Sequence, residues 1–564
     1  MKKYLHLAKL VLFINLLIQI KGVDITLSSS MSDITESTYT IESNVLTLTS
    51  STEYSISGSC SECQISVAKQ ISPKITLKSI TIDNSNTGPF VIKKESNVTL
   101  ILSGESTITD NETDESATDF EGAAIKFKSS STLTISGDGK LNIRGNIKNG
   151  IKGGSGSNLI INGGTLNITA VNNALAADNS VTINNGTFYI QTSEGDGIKS
   201  DPDYNDNESE GIITINYGTF NINSYSDGIQ AKSKLIINDG NFNIKTYSNG
   251  ASSTNFDKDE ESAKGLKCSW NETNITILLN IKGGKFILDT SDDSIHSDGN
   301  VTITGGEFSI SSGDDGVHAD QNLILGENNA DNSLITMNII KSNEGLEGSQ
   351  VYIYSGTYNI ISSDDGINAA GDTSGNCSSN LGGRNNQPRN LKNLRRSLKK
   401  RKLDDCYSFH INIYGGDIYV NAEADGLDAN GNILISGGNI TVWGAKSGSD
   451  GDPIDMDGTL TISGGTILAG GNQKMTQIDK QASNSQKYIS SKNSYTSNQV
   501  VYIVNGDNTV REITIPKNIE SLYYTSSDVG DSYKFSTTND GTDSNSSFLC
   551  KINMLYLFGF ILFI

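Results

Sequence analysis

Acidic side chains recur at one position of a repeating pattern in this chain, at a density that suits a hard cation. Asp196, Asp227, Asp293, Asp315, Glu344, Asp365 and Asp425 share that position. Asp292, Asp314 and Asp364 double it from the residue before. Glu347 and Asp428 follow it by three residues, and Asp201, Asp298 and Asp320 by five. If successive repeats stack at strand spacing, about 4.8 Å, the position becomes a column of like charges that repel unless something neutralises them. Ca²⁺ takes several oxygen ligands in flexible geometry, so it is the expected cofactor, held by the ladder acids from Asp292 to Asp428. His296 and His318 fall in register within the ladder, where they could ligate a softer metal or contact a sugar, but two imidazoles among so many carboxylates favour Ca²⁺. An Asp-Gly pair can also simply make a corner, its carboxylate capping backbone amides. That reading suffices for an isolated Asp227, whereas the doubled pairs call for more.

The elements that position these acids follow from the repeat. The unit reads Asp-Gly-Ile-x-Ala, then Leu-x-Ile-x-Gly-Gly, then x-Phe-x-Ile, and it runs from about residue 123 to 470. Equivalent positions are 22 apart (315 − 293 = 22, 306 − 284 = 22, 438 − 416 = 22). Alternation such as Val301-Thr-Ile303 and Phe308-Ser-Ile310 has period two, which makes short strands with one buried face, and glycines mark the turns between them. Such strands cannot bury a core within one unit, but stacked units can. The predicted fold is therefore all-β, a parallel β-helix with coils of about 22 residues. A propeller needs longer repeats, and leucine-rich repeats need their asparagine signature. Phe188, Phe220, Phe242, Phe286, Phe308 and Tyr358 recur at one unit position and should stack inside. Tyr189, Tyr352, Tyr354, Tyr414 and Tyr419 fall on the outward phase, where an aromatic ring suits the apolar face of a sugar.

Residues 23–122 carry looser strands and are expected to form an N-terminal cap and first coils. Residues 471–538 lose the repeat and should cap the other end, which a solenoid requires. A basic insertion at 371–405 includes Lys399-Lys-Arg-Lys402 and is read as a loop; Cys377 and Cys406 bracket it and should be bridged in an oxidising compartment. Cys60-x-x-Cys63 suggests a local disulfide, with no thioredoxin-like pattern around it.

Lys2 and Lys3 precede an apolar run from Leu5 to Ile20, the layout of a signal peptide over residues 1–22. Residues 539–564 give a short polar spacer and an apolar tail whose uninterrupted part, from Met554, falls short of the roughly 20 residues of a spanning helix. That arrangement fits a GPI-anchor signal with a short spacer. Asn97, Asn111, Asn185, Asn271 and Asn300 begin glycosylation sequons. The expected location is thus extracellular, at the cell surface, with a membrane met only through a lipid anchor. The formal charge of −21 argues against nucleic acid as a partner and favours cations or neutral and cation-bridged ligands.

The combination Asp-Asp-Gly-Ile-x-Ala with Leu-x-Ile-x-Gly-Gly-x-Phe-x-Ile resembles the carbohydrate-binding β-helix family known from cellulolytic clostridia, most specifically at Asp292–Asp298, Asp314–Asp320, Glu344–Gly348, Asp364–Ala369 and Asp425–Asn430. The resemblance implies a right-handed parallel β-helix similar to pectate lyases, bound calcium, and affinity for cellulose-like or acidic polysaccharide. The basic insertion and the apolar tail depart from the family pattern. On such a scaffold a lyase needs a strong base beside the metal, and Arg144 is the only arginine of the repeat coils outside the insertion. A hydrolase needs two suitably separated carboxylates, which the ladder could supply. No nucleophile and base constellation stands out, so a polysaccharide-binding protein is the expected function, with a lyase or hydrolase, or an adhesin or wall protein, as alternatives.

Overall fold

The structure is a computed structural model that describes residues 22–113, 115, 120–202, 210–270, 276–328, 334–370, 409–445, 451–473, 483–484 and 486–542. The signal-peptide run before Gly22, the bulk of the apolar tail, the basic insertion and the Cys377–Cys406 bridge lie outside these residues. Two compact units emerge, one of Met1–Tyr225 with Gln230–Lys232 and the other of Ser226–Ile229 with Ser233–Ile564.

In the first unit each coil contributes three short strands. Asn149–Gly153, Asn158–Ile161 and Thr165–Ala170 make one coil, followed by Leu175–Ala177, Ser180–Ile183 and Thr187–Thr192. Each strand pairs in parallel with its counterpart one coil on: Leu159 is opposite Val181, and Leu166 opposite Phe188. This is a parallel β-helix. Inward positions such as Leu159, Leu166, Val181 and Phe188 are fully buried. Each contributes about 1.5–3 kcal/mol of apolar burial, which no single coil could achieve alone. At the N-terminal end Ile34–Thr35, Tyr39–Glu42 and Val45–Leu48 run antiparallel to one another. Cys60 and Cys63 are disulfide-linked.

The second unit repeats the plan. Ile295–Ser297, Asn300–Ile303 and Gly306–Ser312 form a coil, and its register fixes the period: Phe286 pairs with Phe308 and His296 with His318, 22 residues on in each case (308 − 286 = 22, 318 − 296 = 22). Phe242, Phe286 and Phe308 stack inside with ring centroids 4.7 and 4.6 Å apart. Met337 then pairs with Phe308, and Tyr358 with Met337. Gly306 turns the chain at φ +122°, where a Cβ would meet the Phe308 ring at 2.9 Å, so both its conformation and the space require glycine.

Beyond Thr466–Gly471 the parallel order ends. Ser521–Thr525 pairs antiparallel with that strand and with Tyr488–Ser491, while Val500–Asn505 lies between Asn508–Thr514 and Tyr533–Ser536 in a separate antiparallel sheet. Trp443, Leu468, Ile503, Leu522 and Phe535 belong to one buried cluster there, and Tyr419 packs against it. Covering the last coil removes an exposed strand edge.

Candidate functional site

Ladder acids sit at the corner that opens each coil, and one carboxylate oxygen does structural work. Asp293 Oδ1 accepts the backbone N–H of Asp315 (3.0 Å), Asp315 Oδ1 that of Glu344 (3.1 Å), and Asp365 Oδ1 that of Asp425 (2.9 Å). Asp227 Oδ1 accepts from Lys264 N–H (2.8 Å) in the same manner. Corner capping is therefore general along the column, the doubled pairs included. The second oxygen of Asp227, Asp293 and Asp315 faces a cationic side chain.

At the lower coils that side chain is a lysine. In the first unit Lys199 Nζ lies 2.9 Å from Asp196, and Lys232 Nζ 3.1 Å from Asp201. In the second unit Lys267 Nζ is 3.0 Å from Asp227, and Lys264 Nζ is 2.7 Å from Asp292 and 2.6 Å from Asp293. Lys264-Gly265-Leu266 occupies the place that Asp293-Ser294-Ile295 takes one coil on, since Leu266 pairs with Ile295. A lysine thus replaces the acid at that step of the column. Burial opposes its charge, yet Asp293 and Asp292 outweigh burial and hold the ammonium well above its ordinary value; Asp293, burial notwithstanding, is held well below the carboxylate range by Lys264 and His296. Asp292 and Asp293 thus meet Lys264, and together with Asp314 they also bring ligand oxygens within 4.8 Å of one another. Lys258 likewise reaches Asp314 at 2.6 Å.

His296 and His318 are counter-ions of the same column. His296 places Nδ1 2.8 Å from Asp293 and Nε2 2.9 Å from Asp298; His318 places Nδ1 3.1 Å from Asp315 and 3.2 Å from Glu347, and Nε2 3.4 Å from Asp320. Burial pulls both imidazoles down, but the carboxylates around them prevail, and His318 ends well above its usual value. Both ring nitrogens of each histidine therefore face carboxylates.

Further along, acids gather more closely still, with Lys258 beside Asp314 and His318 beside Asp315. Asp314, Asp315 and Glu344 bring ligand oxygens within 4.8 Å of one another, as do Asp425, Asp428 and Asp455. Burial, followed by the neighbouring acids, lifts Glu344 to about 9 and Asp425 to about 8. Between Glu347 and Asp428 in the outward row lies Asn368, 7% exposed, whose Oδ1 has no hydrogen-bond partner among the described residues. All-oxygen donors, mutual repulsion and an orphaned amide oxygen fit a hard cation. Asp455 and Asn368 escaped the sequence reading: the first follows Asp452-Pro453, which breaks the Asp-Gly motif, and the second is uncharged. Asp364 stands at the corner of its coil, its N–H donated to Asn343 O (3.1 Å).

The outward tyrosines separate. Tyr354 and Tyr414 stack at 4.9 Å with planes 8° apart, Tyr352 lies 6.5 Å from Tyr354, and His410 meets Tyr352 edge-on at 5.4 Å. Tyr352 Oη donates to Gln350 Oε1 at 2.7 Å. Because Tyr354 and Tyr414 cover one another, they offer a glycan their edges and hydroxyls more than an open face. Tyr419, packed on the terminal cluster, is only half-buried but is committed to that packing.

Fold and site together define a β-helical protein with an acidic corner column, partly neutralised by its own lysines and histidines. Residues 42–316 are similar to the family described as carbohydrate-binding domain-containing protein. A solved structure of a polysaccharide lyase-like protein from C. thermocellum, a gadolinium derivative, is 24% identical with a TM-score of 0.35, over 40% of this chain and 90% of that one. No curated protein matches the chain.

Proposed function

We propose that the protein is an extracellular polysaccharide-binding protein, held at the cell surface, whose acidic column takes up Ca²⁺ and which engages cellulose-like or acidic glycans without cleaving them. The observation that carries the cation reading is the convergence of Asp425, Asp428 and Asp455, whose ligand oxygens lie within 4.8 Å of one another, in a chain whose residues 42–316 resemble a carbohydrate-binding family. These three, and Asp314, Asp315 and Glu344, would hold the ion. Ca²⁺ bound there would neutralise the column and, through open positions, could bridge to uronate carboxylates. The signal-peptide layout of residues 1–22 and the spacer and tail at 539–564 support the location, and the sequons at the exposed Asn97 and Asn185 support glycosylation. Phospholipase treatment of intact cells should release the protein, and retention would count against the anchor.

One observation favours a second reading. A carboxyl as raised as Glu344 keeps its proton near neutrality beside Asp315, and a hydrolase needs such a pairing. Both readings are tested by incubating the full chain with cellulose and with polygalacturonate in Ca²⁺. Co-sedimentation with intact glycan supports binding; new reducing ends would establish hydrolysis, and unsaturated uronate absorbance would establish elimination.

A further inference from the structure

We infer that the outward face of the strands Thr165–Ala170, Thr187–Thr192 and Thr219–Ser224 is a binding face for a neutral, hydroxyl-rich glycan chain, centred on Tyr189 and separate from the acidic column. The inference rests on the polysaccharide-binding reading and locates a site for it. Parallel register sets Tyr189 between Asn167 and Asn221, and Gln191 between Thr169 and Asn223. These six outward residues carry no charge in a chain whose formal charge is −21. The window is bounded on one side: one coil earlier the Tyr189 row carries Asn142, but the Gln191 row carries Arg144, and the same strand begins at Lys140. In the second unit, strands with the same phenylalanine register carry Lys285, Asp289 and Glu307 outward. An uncharged patch of amides and hydroxyls suits a ligand that donates and accepts hydrogen bonds and has no charge to pair.

Tyr189 is 51% exposed, and no aromatic ring stacks on it among the described residues; its register neighbours are the amides of Asn167 and Asn221. That distinguishes it from the mutually covered Tyr354 and Tyr414. Beneath it Phe188 and Phe220 stack at 4.7 Å and hold the two strands in register. A groove of about 130 Å³ adjoins the Gln191 row, lined in part by Asn146, Thr169, Gln191 and Ser193. An exposed ring beside a groove edged by amides and hydroxyls can receive a sugar, the ring covering the C–H face and the groove's Asn146, Thr169 and Gln191 taking hydroxyls. The face lies within residues 42–316, the stretch similar to the carbohydrate-binding family, which ends before Glu344, Asp425 and Asp455.

The test is affinity electrophoresis of the full chain through gels containing hydroxyethyl cellulose or polygalacturonate, with Tyr189→Ala, Gln191→Ala and Tyr414→Ala run beside the wild type. Tyr189→Ala should weaken retention by the neutral glucan about tenfold, roughly the 1.4 kcal/mol of one exposed aromatic contact, with its melting temperature unchanged. Gln191→Ala should weaken it less, and Tyr414→Ala should leave it intact. Wild-type binding to the neutral glucan that Tyr189→Ala retains in full would overturn this site and leave the polysaccharide reading standing. Retention by polygalacturonate alone would also overturn the site. No retention by either glycan would overturn both.

Discussion

Lys264 illustrates how one side chain changes the meaning of a motif. In the corner column it stands where its neighbours have acids, and its ammonium lies within 2.7 Å of both Asp292 and Asp293. Removing one partner of a buried charge group leaves the others uncompensated, so Lys264→Gln should cost about 3–5 kcal/mol in urea unfolding, and a loss under 1 kcal/mol would show that the contact is not formed. Asp110 gives a pH-dependent counterpart in the first unit. Burial raises its carboxyl to about 6 despite the backbone N–H of Glu112 that bonds Oδ1, and Oδ2 has no partner among the described residues. A raised acid contributes stability that is complete below its unfolded value near 3.8 and is lost as pH climbs through about 6. The wild type should therefore lose stability relative to Asp110→Asn between pH 4 and 7, and parallel pH profiles for the two would refute the assignment. The ladder acids were legible in the sequence because they recur at one position. Their lysines were not: a pattern keyed on Asp-Gly passes over Lys264-Gly265, and the position of Lys267 gains meaning only when His296 is seen beside it.

At the scale of the strand and its neighbours, the internal aromatics were readable because the same burial recurs in every coil. Phe286, 1% exposed, is stacked on both sides. Phe286→Ala should cost about 3–5 kcal/mol, measured by denaturant unfolding, whereas Tyr414→Ala on the exposed side should fall within about 0.5 kcal/mol of wild type. Equal losses at both positions would mean that the inward and outward phases are misassigned. The alternation placed Tyr419 outward, and it does alternate, but its strand Asp417–Ala422 meets the terminal cluster, so outward does not mean free. Residues 471–538 have no repeat, and without one the sequence gives no register by which to foresee that contact. Val317–Leu325 shows another limit: a single strand fills the place of two, with a register shift between Ala319 and Asn322.

For the molecule as a whole, the question is what clustered acids do with charge that side chains such as Lys258 and His318 offset only in part. Around Asp314, Asp315 and Glu344, and again around Asp425, Asp428 and Asp455, the cost of that repulsion should fall on stability unless an ion is bound. The most direct test is the melting temperature of the full chain in Ca²⁺ and in chelator, read together with its retention in polygalacturonate gels under the same two conditions. Ca²⁺ should raise the melting temperature and strengthen retention, and both responses should shrink in the double variant Asp425→Asn with Asp428→Asn. Identical melting and identical retention with and without the ion would contradict the account, leaving the aspartates as corner residues only.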